Sequence, residues 1–376
     1  MKKKNIYALA FLATLLIVTG FSRRLSDDTI TNVEAPFAFE TEVFAKGFES
    51  AWSMAWLPNG DMLVADKPGK LWKIAKGSKE KTEIKGIPAV STKGQGGLFD
   101  VELHPNYANT GWIYISYAGP GEGGANTVII RGKLSGNELT SQETIFKAGP
   151  LTEKGQHFGA RMAFDKDGYL FFSVGERGEM ENAQTLTNDC GKIHRIFDDG
   201  RVPEDNPYVR IPDAKTTIWS YGHRNPQGLK FHPTTGELFE HEHGPRGGDE
   251  VNIVRKAKNY GWPRITYGID YDGSIISNDK VKEGMEQPIH YWVPSIAPCG
   301  MDFVTSDKYP EWKGNLFVGA LAGQTLARLE VKDGKVLKEE RLLNGVGRIR
   351  DVAQGPDGYL YISTEGPGQI IRLMPK

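Results

Sequence analysis

Apolar residues in this chain come in short runs that end at glycine, proline or aspartate turns, and one arrangement of them recurs. A Pro or Asp precedes a glycine turn, an apolar strand follows, and often a second glycine turn and strand come after it. The unit reads LPNGDMLVADKPGKLWKI from Leu57, HPNYANTGWIYISYAG from His104 and DKDGYLFFSVGERG from Asp165. It returns as HPTTGELFEHEHGP from His232, EWKGNLFVGALAGQTLARLEV from Glu311 and GPDGYLYISTEGPGQIIRL from Gly355. The turn glycines are Gly60, Gly111, Gly168, Gly236, Gly314 and Gly358. Short strands closed by tight turns predict an all-β chain. The intervals between these glycines each hold one four-stranded blade, which takes about 40–50 residues, plus loops of variable length. The longest intervals follow the third and fourth copies. Six copies predict a six-bladed β-propeller, whose radial closure keeps strand edges short. A β-sandwich would not require the same turn six times. Residues 35–376 are expected to form one domain.

The N-terminus follows a different pattern. Lys2, Lys3 and Lys4 precede a mostly apolar run from Ile6 to Phe21, followed by Arg23 and Arg24. A charged segment leading into an apolar one predicts a secretory signal peptide or an N-terminal membrane anchor over residues 1–24, with residues 25–34 as a linker. No Cys lies near it, which excludes a lipoprotein anchor, and the body of the protein is expected to be exported to the periplasm. Elsewhere no apolar run is long enough to span a bilayer. With 46 basic and 47 acidic residues the formal charge is -1, which leaves no electrostatic footprint for nucleic acid. Cys190 and Cys299 form no CxxC motif; export permits a disulfide between them, and two separate thiols are the other reading.

Candidate chemistry is densest from Trp219 to Trp262, where His, Arg, Asn, Gln, Glu and Asp crowd around two strand-like runs, FHPTTGELF and EVNIV. Loops on a rigid β scaffold are where binding and catalytic residues concentrate. Arg224 and Asn225, in GHRNPQG, suit recognition of carboxylates or carbonyls, or a bridge between blades. His157, in EKGQHFGARMAF, is flanked by Gly155 and Gly159 and leads into a strand. Its pKa suits a general base, and a hydrogen-bonded loop histidine is the alternative. Arg348 and Arg350, in GRIRDV, alternate onto one strand face, where they repel unless an anionic ligand or an acid lies between them; Asp351 faces the other way. His241 and His243 lack the further ligands of a zinc site. Asp249, Glu250 and the carbonyls of the Gly-Pro turn are hard oxygen donors, which favour Ca²⁺ over Zn²⁺. Gln95 and Tyr271 lie in further loops and, taken singly, read as structural.

Together these segments carry more. GQGGLFDVELHP, QHFGARMAF, YGHRNPQG, EHGPRGGDEVN, KNYGWP and RIRDVAQGPDGYLY occur in one order and context. In them the chain resembles the soluble pyrroloquinoline-quinone (PQQ)-dependent glucose/sorbosone dehydrogenases, most nearly the bacterial aldose sugar dehydrogenase branch. The resemblance covers everything after the N-terminal segment and implies the same six-bladed fold. It implies that Arg224, Arg348 and Arg350 supply cations to a planar quinone bearing three carboxylates, with Gln95, Asn225 and Tyr271 as further cofactor contacts. His157 matches the general base, which would take the anomeric proton as hydride passes from sugar C1 to the quinone, leaving a lactone. Ca²⁺ would act as Lewis acid, with the carbonyls of Gly244 and Pro245, together with Glu250 and the backbone of Tyr260, as its implied ligands in one site or two.

Two positions depart from the family pattern. Ala322, in FVGALAGQ, stands where members often carry a lysine that faces the cofactor, and His243 stands where the glucose dehydrogenases have Gln. The leading expectation is an enzyme that oxidises aldose sugars with PQQ and Ca²⁺ and passes electrons to a quinone or a cytochrome. A Ca²⁺-dependent propeller lactonase is the alternative, though it needs no cluster of arginines. A non-catalytic exported ligand-binding propeller is the third reading. The oligomeric state has no signature in the sequence.

Overall fold

A computed structural model of the chain describes residues 37–376; the N-terminal segment and linker expected over residues 1–34 lie outside the described residues. The rest is six four-stranded antiparallel sheets. Blade one comprises Ala51–Trp56, Met62–Asp66, Lys70–Ile74 and Lys81–Ile84. Blade two follows with Leu98–Leu103, Trp112–Gly121, Gly124–Ser135 and Glu138–Lys147, and blade three with Met162–Phe164, Leu170–Val174, Lys192–Ile196 and Ile218–Tyr221. Blade four is Pro226–Phe231, Leu238–Glu242, Asp249–Val254 and His290–Trp292, and blade five is Pro298–Phe303, Leu316–Ala320, Leu326–Lys332 and Lys335–Leu342. Blade six takes three strands from the C-terminus, Arg348–Gln354, Leu360–Glu365 and Gln369–Pro375, and its outermost strand, Phe39–Lys46, from the N-terminal side. The first strand of each blade packs against the first strand of the next, and blade six against blade one, so the ring closes.

Each repeated glycine lies in the turn between the first and second strands of its blade. The turn needs a positive φ, 89° at Gly60 and 80° at Gly358, which a residue with a Cβ adopts only under strain. The second strands are buried on both faces, as Met62–Asp66 and Leu170–Val174 show, because every blade is covered by two neighbours. That is why they read as continuous apolar runs rather than alternating ones. Between blades one and two the core is built from Leu63, Leu71, Val101, Ile113 and Ile130. The closing blade is anchored by fully buried Trp312, whose ring meets Phe37, Phe39, Tyr309 and Phe317.

One sequence expectation needs correction. FHPTTGELF is not a strand: it is the hairpin between Pro226–Phe231 and Leu238–Glu242. Cys190 and Cys299 are both buried and unpaired, so of the two readings left open for them the separate thiols hold. Among the described residues, no helix is long and apolar enough to cross a membrane.

Candidate active site

Loops from all six blades meet around a cavity of about 300 Å³ at one end of the ring, at the lower end of the usual range for small-molecule sites. One wall is aromatic. Trp52, Phe99 and Phe158 follow one another with ring centroids 5.4 and 5.5 Å apart. Beside this wall Arg161 lies over Trp52 at 4.2 Å and pairs with Asp100 (3.2 Å) and Asp351 (3.1 Å). Asp351 is thus engaged by Arg161 rather than by the two neighbouring arginines.

Four of the sequence candidates, Gln95, Asn225, Arg348 and Arg350, line this cavity. The strand register slips between Ile349 and Asp351, so Arg350 is a bulged residue, and bulges re-aim side chains. Both arginines nevertheless converge on one carboxylate. Glu365 accepts from Arg348 Nε at 3.2 Å and from Arg350 Nε and Nη2 at 2.8 and 2.5 Å. Burial works against its charge, but Arg350, Ser50 and Arg348 together outweigh that and hold its pKa down at about 2. An acid of the protein thus takes the place between the guanidiniums that the sequence reading gave to a ligand or an acid. A third cation, Lys67, also lines the cavity.

His157 is placed next to this lining by the loop that leads into Met162–Phe164. Its backbone φ is 56°, a conformation that persists only where surrounding contacts hold it. Gln95 Oε1 accepts the His157 N–H at 2.8 Å, and Asn225 Oδ1 accepts the Gly159 N–H at 3.1 Å. Nδ1 of His157 is bonded to Glu176 Oε1. A carboxylate there fixes the proton on Nδ1 and leaves Nε2 as the basic nitrogen. Nε2 has no hydrogen-bond partner among the described residues and is not sealed from solvent. Burial holds the His157 pKa below its ordinary value; the Glu176 bond opposes this, while the charges of Arg224 and Arg177 add to it. At neutral pH the ring is therefore neutral and able to take a proton.

Arg224 and Tyr271 are not among the residues that line the main cavity. The Arg224 guanidinium lines a neighbouring cavity and donates through Nη1 to the carbonyls of His243 (3.1 Å) and Gly244 (2.8 Å), beside the Trp262 ring. Tyr271 lies on the turn from Asp270 to Ser274 and is 68% exposed, because that turn points outward; it lines neither cavity described here.

The expected calcium ligands also separate. Gly244, Glu250 and Tyr260 line a second, ion-sized cavity of about 10 Å³ together with Glu242 and Arg224, whereas Pro245 lies outside it with its carbonyl bonded to Ser295 (3.2 Å). Burial, and next the charge of Glu242, raise the Glu250 pKa well above the carboxylate range. His223 Nδ1 stands 3.6 Å from Glu240 and 3.7 Å from Glu242, at ion-pair rather than hydrogen-bond distance. Burial opposes its charge, but these two acids prevail and raise its pKa to about 9. With His223 protonated and its Nε2 bonded to Ser220 (2.9 Å), the imidazole offers no lone pair to a metal, and Glu240 and Glu242 share its one positive charge. Glu242 and Glu250, with nearby backbone oxygens, are a donor set that fits a hard divalent ion.

The chain is similar in sequence and fold to known proteins. The sequence model of the glucose/sorbosone dehydrogenases matches residues 48–372. The chain belongs to the glucose/sorbosone dehydrogenase family. It is 42% identical over 352 residues to the aldose sugar dehydrogenase YliI of Escherichia coli (strain K12), covering 91% of this chain and 94% of that one. Its fold matches the apo-form of the soluble aldose sugar dehydrogenase of Escherichia coli with a TM-score of 0.88 at 40% identity, over 90% of this chain and all (100%) of the other. It also matches the PQQ-bound aldose sugar dehydrogenase of Streptomyces coelicolor with a TM-score of 0.73 at 28% identity, over 91% and 99% of the two chains. Membership in the glucose/sorbosone dehydrogenase family makes this chain an oxidoreductase.

Glu176, Glu365 and Lys67 were not singled out from the sequence. A signal for the two acids exists in the repeat. Aligning the six copies on their turn glycines puts Asp66, Glu176, Glu242 and Glu365 at or just after the end of the second strand of their blades. All four act on the segment that forms or leads into the first strand of the same blade: Asp66 on the N–H groups of Glu49 and Ser50, Glu176 on His157, Glu242 on those of Arg224 and Asn225, and Glu365 on Arg348 and Arg350.

Proposed function

We propose that this protein is an exported aldose dehydrogenase that oxidises the sugar at C1 to the lactone, with PQQ and Ca²⁺ bound and a quinone or cytochrome as final electron acceptor. The observation that carries this reading is the pairing, around one cavity, of a cationic rim with a neutral histidine held by a buried carboxylate. The aromatic wall of Trp52, Phe99 and Phe158 suits a flat ring system, and Arg348, Arg350 and Lys67 outnumber Glu365, which suits a ligand with several carboxylates. Glu242, Glu250 and the oxygens of Gly244 and Tyr260 would hold calcium.

When bound, the quinone supplies a two-electron acceptor and calcium a Lewis acid. The chain supplies position and proton transfer. Glu176 keeps the proton on Nδ1 of His157, so that Nε2 accepts the proton of the sugar hydroxyl. Gln95 and Asn225 hold the loop that carries this base. Support for the reading comes from the family match and from the PQQ-bound relative.

Reconstitution tests it. Purified protein should gain dye-linked oxidation of aldoses only when both Ca²⁺ and PQQ are added, and His157→Ala should lose turnover while still binding PQQ. Inactivity across an aldose panel, full activity of His157→Ala, or lactone hydrolysis with calcium alone would each refute it.

A further inference from the structure

Ala322 is exposed beside Leu321, which lines the main cavity. The cation that family members often place at position 322 is thus missing on the blade-five side. The structure offers another on blade one, with blade six between the two. Lys67 directly follows the strand Met62–Asp66 of blade one and is fixed between two blades: its N–H donates to Ser50 O at 3.0 Å, and its carbonyl accepts from Leu98 N–H at 2.8 Å. Gly97 lets this backbone and the lysine stem approach: a Cβ there would lie 2.3 Å from the Lys67 carbonyl oxygen and 2.5 Å from Lys67 Cγ, so any larger residue at 97 would displace both. Gly97 belongs to the same GQGG run as Gln95.

Lys67 is half-buried, and its ammonium has no hydrogen bond or ion pair among the described residues. Glu365, the carboxylate of the cavity, is already shared by Arg348 and Arg350. Three cations therefore face one anion. Burial lowers the Lys67 pKa, and Arg350 lowers it further, as befits a cation with no counter-charge of its own. Such an excess is unfavourable in the empty protein and is relieved by an anionic ligand.

We propose that Lys67 replaces the lysine absent at Ala322, its ammonium binding a carboxylate of the quinone alongside Arg348 and Arg350. This rests on the PQQ reading above and assigns a cofactor-binding residue within it. Removing one charge-assisted contact from such a cluster weakens binding by about 10- to 100-fold.

The test is absorbance titration of the full apo-protein with PQQ in calcium buffer. Lys67→Met, which keeps the length of the stem, should raise the Kd about 10- to 100-fold. Lys67→Arg should stay within about threefold of wild type, and the salt dependence of the Kd should be shallower for Lys67→Met than for wild type. If Lys67→Met does not fold, Lys67→Gln takes its place. A Lys67→Met protein that binds PQQ within about twofold of wild type, or with an unchanged salt dependence, overturns this inference alone. A wild-type protein that takes up no PQQ overturns the functional reading, and this inference with it.

Discussion

Glu176→Gln changes charge at the base with little change of shape, and its effect can be worked out in advance. Glu176 is 1% exposed and His157 9% exposed, so water does little to screen their bond. A hydrogen bond to a charged partner contributes about 1.5–3 kcal/mol. At about 1.4 kcal/mol per decade, losing the charge should lower kcat/KM by about 10- to 150-fold. His157→Ala sets the outer limit, since general-base catalysis contributes about 10²–10⁴-fold. The direction of the pH effect also follows. Burial depresses the His157 pKa, and the Glu176 bond is the largest effect opposing it. Without that carboxylate, burial and the charges of Arg224 and Arg177 act unopposed, and the pKa falls further. The acid limb of the kcat/KM profile reports the base of the free enzyme, so in Glu176→Gln it should move to lower pH while the rate at neutrality drops. Steady-state assays of the reconstituted enzyme from pH 4 to 8, with PQQ affinity measured alongside, check both. An acid limb that moves upward, or kcat/KM within twofold of wild type at equal cofactor occupancy, would refute the assignment of Glu176 to the base.

Calcium should stabilise the apo-protein before any quinone is added. At about 100 times its Kd a ligand contributes about 2.7 kcal/mol, visible as a rise in Tm in a thermal-shift assay, and Glu250→Gln should abolish that rise. Acid should destabilise the fold through buried imidazoles. Burial lowers the His194 pKa from 6.5 to about 4, so between those values the unfolded chain binds a proton that the folded one refuses. Stability is then whole above about pH 6.5 and falls by up to about 3 kcal/mol as pH drops toward 4. Urea unfolding of wild type and His194→Gln across this window should show a shallower slope in the variant.

The fold was legible because a ring of blades repeats its local chemistry. Six glycine turns between first and second strands mark the six sheets, and each has the same physical requirement for a positive φ. Strand alternation was a poorer guide, because second strands such as Leu170–Val174 are buried on both faces. The exchange that closes blade six, with Phe39–Lys46 pairing Gln369–Pro375, could not be read from spacing, because it joins the two ends of the domain. The site was legible only in part. Gln95, Asn225, Arg348 and Arg350 could be placed by motif, since each lies in or next to a first strand whose position the repeat defines. Arg224 and Tyr271 could not, because a side chain's direction depends on partners outside its motif: the Gly244 carbonyl captures one, and an outward turn carries the other away.

The repeat also explains why the site's acids were missed and what they do. Read singly, Glu176 in VGERG and Glu365 in STEGPG are unremarked charges; compared across copies, they stand with Asp66 and Glu242 at or just after the end of the second strand. In blade one the acid, which also accepts from Trp72 Nε1 of its own blade, holds the backbone of the loop before the first strand. Glu242 does the same for the residues that present Asn225, while in blades three and six the acid has been turned to a side chain, the imidazole of His157 or the paired guanidiniums. Blade five lacks such an acid, and its loop is held by Asp249 of blade four, whose Oδ2 accepts from Ile296 and Ala297 at 2.7 Å each. A scaffold device for fixing loops has thus become, in two blades, the means of setting the charge and tautomer of functional groups. On this argument Asp66→Asn should weaken the fold without moving the pH profile, whereas Glu176→Gln moves the profile, although both acids stand near the end of the second strand of their blades.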